Sequence, residues 1–178
     1  MKRRIGERDV RSCAVKRALR RNYEPAPRSP AGAAQDSAPA YFEHDADFGV
    51  VGRGPTVEAA FIQAARAMFA IMVDLDAVKA KEHLAFEFEE TDLELALVVW
   101  LNRLLAEARR SGLALGRFAL RRDGSRCGTV CGQWHGEAWG QHWTGRLARG
   151  TEVKGATLTM LAVRQLAGQW EARCVVDV

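Results

Sequence analysis

From Thr56 onward the apolar residues switch back and forth between two spacings, and no single class of secondary structure accommodates both. Val57, Ala60, Phe61, Ala64, Ala65, Met68, Phe69 and Met72 recur at helical spacing, so they predict a helix with a buried stripe. Thr56 is placed to cap its start and Glu58 suits the positive first turn. His83 to Glu89 then alternates strictly, with Leu84, Phe86 and Phe88 on one face of a half-buried strand. Thr91-Asp92-Leu93-Glu94 reads as a capping box with Thr91 as the cap, opening a second helix that runs to about Arg110. Arg109 and Arg110 suit its negative end, and Gly112 is free to take the left-handed conformation beyond it.

The apolar face of this second helix is wide: Val98, Val99 and Leu105 spill beyond the stripe of Leu93, Ala96, Leu97, Trp100, Leu101, Leu104 and Ala108. Such a face is covered by a sheet or by a partner, and the first is expected. Leu113 onward returns to a period of two, with Asp123-Gly124 as a hairpin turn and Cys127, Thr129 and Cys131 on the returning strand. Residues 136–150, rich in Gly and Trp, read as an irregular loop, and Thr151 to Gln165 with Trp170 to Val178 as a final hairpin about Gly168. Upstream, Tyr41 to Glu43 and Phe48 to Arg53 read as strands on either side of an acidic loop.

Seven Phe, five Trp and two Tyr in 178 residues are enough apolar bulk for one folded domain. Residues 1–40 stand apart, with Pro25, Pro27, Pro30 and Pro39 among Ala, Ser and basic clusters, and predict a disordered tail ahead of a domain at 41–178. The net charge of +4 belongs to that tail: it carries ten Lys/Arg against four Asp/Glu, leaving sixteen against eighteen in the domain. This argues against a nucleic-acid-binding domain. No apolar run approaches the ~18 residues of a membrane span. The basic start is not followed by the apolar segment of a signal peptide, so a cytoplasmic protein with reduced cysteines is expected.

Two constellations carry possible chemistry. Cys127, Cys131, His135 and His142 are a zinc-type set, but residues four apart on a strand lie about 13 Å apart, too far to share a tetrahedral ion. Glu43-His44-Asp45-Ala46-Asp47-Phe48-Gly49 gathers carboxylates that raise one another's pKa unless a cation or hydrogen bonds compensate. Oxygen ligands favour calcium or magnesium over zinc. Local chemistry leaves open a second reading, in which Asp45 and Asp47 only make turns. Asp74 and Asp76, after the first helix, are second-rank metal candidates.

Several short motifs in order carry a resemblance. His44-x-Ala46-Asp47-x-Gly49, the helix opening Thr56-x-Glu58-Ala59-Ala60-Phe61, Met68 to Met72 with Asp74, Leu101-Asn102, Gly150-Thr151-Glu152-Val153-Lys154 and a chain ending Val176-Asp177-Val178 together resemble the archease family. The resemblance implies an α+β fold: a single two-layer domain of mostly antiparallel sheet packed with two helices. It implies an accessory factor, with no catalytic residues of its own, for the RtcB-type RNA ligase that joins 3′-phosphate or 2′,3′-cyclic-phosphate ends to 5′-hydroxyl ends. Such factors promote guanylylation and turnover of the ligase in tRNA splicing and RNA repair, and meet RNA only through it. Carried over residue by residue, Asp47, Asp177 and the C-terminal Val178 would be calcium ligands, with His44, Asp45, Glu152 and Lys154 as supporting or ligase-facing residues. This chain has Asp45 where the family commonly has Thr. The alternatives are a small metal-dependent phosphohydrolase using Asp45, Asp47 and Asp177, and a chaperone-like module using the wide helix face and exposed Trp residues.

Overall fold

The strand that closes the chain is the one the architecture is built on. β8 (Gln169–Asp177) pairs along one side with β2 (Asp47–Gly54), which in turn pairs with β1 (Ala40–His44). Along its other side β8 pairs with β6 (Gly155–Ala156) and β7 (Ala162–Leu166), completing a five-stranded antiparallel sheet. A second antiparallel sheet has the order β3-β5-β4, from β3 (Glu82–Glu89), β4 (Leu113–Arg122) and β5 (Gln133–His142). The computed structural model describes residues 40–44, 47–123 and 132–178, with side chains described from Phe48 onward. The expected tail, Asp45, the Gly124 turn, Cys127 and Cys131 lie outside the described residues.

Two helices, α1 (Val57–Met72) and α2 (Leu93–Ser111), pack on both sheets. The stripes do what their spacing predicts: Phe61, Met68 and Phe69 of α1 and Leu97, Trp100, Leu101 and Leu104 of α2 are essentially inaccessible and share one core with Val50, Trp134, Cys174 and Val176. Val98, Val99 and Leu105 join that core, so the wide face of α2 is covered within the domain. The fold is α+β as expected, with the antiparallel sheet in two pieces rather than one.

The helix ends test the local reading. Thr56 caps α1, its hydroxyl accepting from the Ala59 amide at 3.2 Å. Gly112 ends α2 at φ 66°, with its N–H directed to the carbonyls of Ala108 and Arg109. The cap of α2, however, is Asp92 and not Thr91: Asp92 Oδ1 accepts from the amides of Glu94 at 2.8 Å and Leu95 at 3.0 Å. Glu90 supplies the other half, its Oε1 accepting from the amides of Thr91 and Asp92. A carboxylate at the positive helix end is a stronger acceptor than a hydroxyl, and this moves the start by one residue. Replacing Asp92 with Ala is expected to cost about 1 kcal/mol in urea unfolding, and Thr91→Ala less than about 0.5 kcal/mol.

Two other expectations are corrected. Residues 133–142 are a regular strand in the middle of the three-stranded sheet, not part of a loop. Its inward positions are Trp134, Gly136, Ala138 and Gly140, and a Cβ on Gly136 would lie 2.5 Å from the Trp100 ring. The alternation is real, but half of it is written in glycine. The segment from Thr151 to Gln165 is not one strand either. Ala156 lies across from Val176 and Ala162 from Arg173, so six steps on this edge match three on β8. The surplus forms a bulge over 157–161, with Met160 at φ 52°.

Candidate functional site

The acidic residues at the two ends of the domain meet because of strand register. Phe48 pairs with Val176, and one further step of that antiparallel register sets the Asp47 backbone beside Asp177. On the outer flank His44 pairs with Asp47, and on the inner flank Gly155 pairs with Asp177. At the level of the backbone, His44, Asp47, Asp177 and Gly155 therefore form one row across the end of the sheet. The side chains of His44 and Asp47, and all of Asp45, lie outside the described residues.

Asp177 is exposed, on the opposite face of β8 from the buried Cys174 and Val176, as a period of two requires. The Val178 side chain packs against the core, and this anchors the end of the chain. Lys154 is bonded twice to this corner: its amide donates to the Asp177 carbonyl at 2.7 Å and its Nζ to the Val178 carbonyl oxygen at 2.7 Å. Glu152 is exposed two residues before it. A lysine ammonium thus already sits on one oxygen of the chain terminus.

Two residues that position this corner were named in the sequence for other reasons, Asn102 within a family motif and Arg109 at a helix end, and their clamping roles were not read there. Asn102, after the apolar run of α2, accepts from the Ala156 amide at 2.9 Å and donates to the Ala156 carbonyl at 3.0 Å, clamping β6 to the helix. Arg109 Nη2 donates to the carbonyls of Val153 at 2.6 Å and Lys154 at 3.1 Å. It does more than face the helix dipole, because it fixes the backbone from which Lys154 reaches Val178. An Asn directly after the apolar run Leu95 to Leu101 was the available signal, since a half-buried amide needs partners.

The donors at this corner are oxygens, which suits a hard cation such as calcium. Among the described residues no group of three or more His, Cys, Asp or Glu side chains stands close enough to hold a metal ion. The other candidates are otherwise engaged. Asp74 accepts from the Asp76 amide at 3.1 Å and caps the short 3-10 turn Leu75–Ala77. His135 lies between Glu87 at 3.0 Å and Asp123 at 3.2 Å, and its hydrogen bond holds the Asp123 carboxyl below its ordinary value, with help from Arg121. His142 faces the Gly112 carbonyl at 3.4 Å. Burial pushes the Cys174 thiol up to about 12, leaving no thiolate for nucleophilic or metal chemistry.

At the other end of β8 is the one buried carboxylate among the described residues, Glu171. Arg53 donates to its Oε2 at 2.7 and 2.9 Å, and Arg164 to its Oε1 at 2.9 and 3.3 Å. Burial raises its pKa, but the hydrogen bonds from the two guanidinium groups outweigh this and the net shift is downward. A lowered folded-state value means that the stabilisation is complete above the ordinary glutamate range and is lost as the pH falls through the folded value. Glu171→Gln should therefore be less stable than the wild type at pH 7, with the difference shrinking as the pH falls below the ordinary glutamate range when both are unfolded in urea.

Comparison with known proteins agrees with the fold. A family model described as the Archease protein family (MTH1598/TM1083) matches residues 40–178. The protein archease of Sulfolobus acidocaldarius is 31% identical over 138 residues, covering 78% of this chain and 96% of its own length. That of Pyrococcus furiosus is 31% identical over 142 residues, with the same shares of 78% and 96%. The solution structure of Methanobacterium thermoautotrophicum protein 1598 superposes with a TM-score of 0.69 at 28% identity, covering 78% of this chain and 96% of that one. The crystal structure of a Thermotoga maritima protein described as an archease, possible chaperone, shares the fold, with a TM-score of 0.54 at 18% identity over 77% of this chain and 94% of that one. With its two-helix α+β fold and a family match that runs to the last residue, the chain belongs to the archease family.

Proposed function

We propose that this protein is an accessory factor of the RNA ligase that joins 3′-phosphate or 2′,3′-cyclic-phosphate ends to 5′-hydroxyl ends, and that it carries out no reaction of its own. The observation that carries the reading is the corner where Asp177, the chain terminus and Lys154 meet, in a chain of the archease family. Asp47, Asp177 and the terminal carboxylate of Val178 are the residues that would hold a calcium-type cation. Bound there, the cation supplies a fixed positive charge at an acidic tip. The residues of this chain do the positioning: Asn102 holds β6 and Arg109 the Val153–Lys154 backbone ahead of it, and Lys154 steadies one terminal oxygen while the Asp177 carboxylate faces outward. His44, Asp45 and Glu152 belong to the same surface as supporting or ligase-facing residues.

Guanylylation requires a ligase lysine to attack a nucleotide phosphate, and such a step is sensitive to the placement of phosphate and metal. A docked tip with oxygen ligands and one ammonium group can adjust that placement without a large interface. Capture of labelled guanylate by the ligase should be faster in the presence of this protein; an unchanged rate contradicts the proposal. The residues named for the chaperone-like alternative are largely covered: Val98, Val99 and Leu105 pack with the core and none of the five Trp residues is exposed, while Leu95 of α2 stays open. Among the described residues no helix is long and apolar enough to cross a membrane.

A further inference from the structure

From residue 41 onward the chain carries sixteen Lys/Arg against eighteen Asp/Glu, so a cavity lined by several cations and no carboxylate departs from its average. One such cavity, of about 460 Å³, opens between the segment that leads into β3 and the loop that leaves β5. Lys79 and Lys81 line it from the first, Thr144 and Arg146 from the second, and Gln141 from the end of β5. Among the described residues these three cations make no ion pair. Asp76 and Glu82, the acids closest in sequence to the two lysines, do not line the cavity.

The backbone that carries the cations is anchored. The Lys81 amide donates to the Gly140 carbonyl at 2.9 Å, which ties the lysine segment to β5. The Leu147 amide donates to the Thr144 carbonyl at 3.0 Å, closing a turn that contains Arg146, and Leu147 is buried with Val73 and Ala114. Arg149, on the same loop, belongs elsewhere: its guanidinium lies 4.4 Å from the centre of the Trp143 ring and lines a different cavity.

Gln141 adds a second, independent observation. It is only 8% exposed, yet its side-chain amide makes no hydrogen bond among the described residues. Its cross-strand neighbour Ala114 has no polar side chain to offer. Buried polar groups are as a rule hydrogen-bonded, so an unpartnered amide on a cavity wall is placed for something that enters the cavity.

We infer that this cavity binds a phosphate group carried by a nucleotide or by an RNA end. Two ammonium groups and a guanidinium supply more positive charge than a single carboxylate balances, and suit a phosphate monoester or polyphosphate. The guanidinium fork matches two phosphate oxygens, and the lysines act as point charges. The Gln141 amide and the Thr144 hydroxyl add neutral donors that fix orientation. The volume falls within the roughly 300–1,000 Å³ usual for small-molecule sites. None of these residues takes part in the Asp177 corner, so the inference does not depend on the functional reading above.

The test is calorimetric titration of the full chain, in buffer free of divalent metal, with pyrophosphate, GTP and a short RNA ending in 3′-phosphate or in 3′-hydroxyl. Lys79→Ala combined with Arg146→Ala should raise the Kd for a phosphate probe about tenfold or more. Both residues are exposed, so the unfolding temperature should stay at the wild-type value. Gln141→Glu should weaken binding as much, because it sets a carboxylate against the phosphate oxygens, whereas Arg149→Ala should bind as the wild type does. Residues 1–40 carry ten Lys/Arg that attract polyanions by themselves, so the difference between variants carries the test. A loss confined to pyrophosphate and GTP identifies a nucleotide as the source, a loss confined to the 3′-phosphate RNA identifies the RNA end, and a loss for both shows that the phosphate alone is recognised. A wild-type chain that binds none of the probes overturns the inference, as does unchanged affinity in the folded variants. An equal loss for the 3′-hydroxyl RNA, or in Arg149→Ala, also overturns it, by showing attraction to any polyanion or to the loop at large.

Discussion

Replacing Asp177 with Ala is expected to remove stimulation of the ligase while leaving the fold intact. Asp177 is exposed at the end of β8, and its backbone, not its side chain, makes the contacts that tie β6 to the sheet. Removing the carboxylate should therefore change stability by less than about 0.5 kcal/mol. Calcium affinity should fall by about 100-fold, the upper end of what even outer-shell partners of a metal site contribute. Asp47→Ala should behave alike, as the register sets its backbone beside Asp177. Calorimetric titration with calcium, run beside the ligation assay, separates the outcomes. An Asp177→Ala protein that binds calcium and stimulates as the wild type does would show that the corner is not the site.

The largest expected effect on stability comes from a single methyl group. A Cβ on Gly52 of β2 would lie 2.0 Å from the Ala60 carbonyl oxygen and 2.3 Å from the Ala64 amide nitrogen. Both are backbone atoms of α1, so no side-chain rotation relieves the clash; the helix would have to leave the sheet. That helix carries Phe61, Met68 and Phe69 into the core, and Trp100 Nε1 donates to its Phe61 carbonyl at 3.2 Å. Gly52→Ala should cost about 3 kcal/mol or more, a large share of the ~5–15 kcal/mol that holds a domain together. Gly145 is the control, with nothing within 4 Å of an added Cβ, and Gly145→Ala should change stability by less than about 0.5 kcal/mol. A Gly52→Ala protein within 1 kcal/mol of wild type in urea would mean that β2 and α1 are not in close contact.

The parts of the fold that could be read in the sequence were those written in apolar side chains and in local capping chemistry. The stripes of α1 and α2, the alternation of β3 and the stop at Gly112 all emerged because each is decided within a few residues. β5 was hidden because Gly136 and Gly140 leave room for Trp100, Phe86 and the Ala114 backbone, and glycine carries no hydrophobic signal. The cap of α2 was misplaced because the two amides that a Thr91 box would have used are taken by others, that of Thr91 by Glu90, just outside the expected motif, and that of Glu94 by Asp92. The bulge at 157–161 depends on how far β6 and β7 slip against β8, which no local pattern records. For the site, Asp47 and Asp177 were joined only through the family resemblance, and the register of β2 with β8 sets their backbones side by side. The clamps of Asn102 on Ala156 and Arg109 on Val153 and Lys154 span more than forty residues and appear only in the folded chain.

The central claim is tested most directly by multiple-turnover RNA ligation. The ligase partner, GTP, a divalent metal and RNA with 3′-phosphate and 5′-hydroxyl ends are followed over many cycles, with this protein absent or present well below the ligase concentration. The account predicts that product per ligase rises well beyond one in its presence and that Asp177→Ala gives no rise. Turnover that is unchanged by the wild-type protein, with a ligase that is active in single turnover, would contradict it.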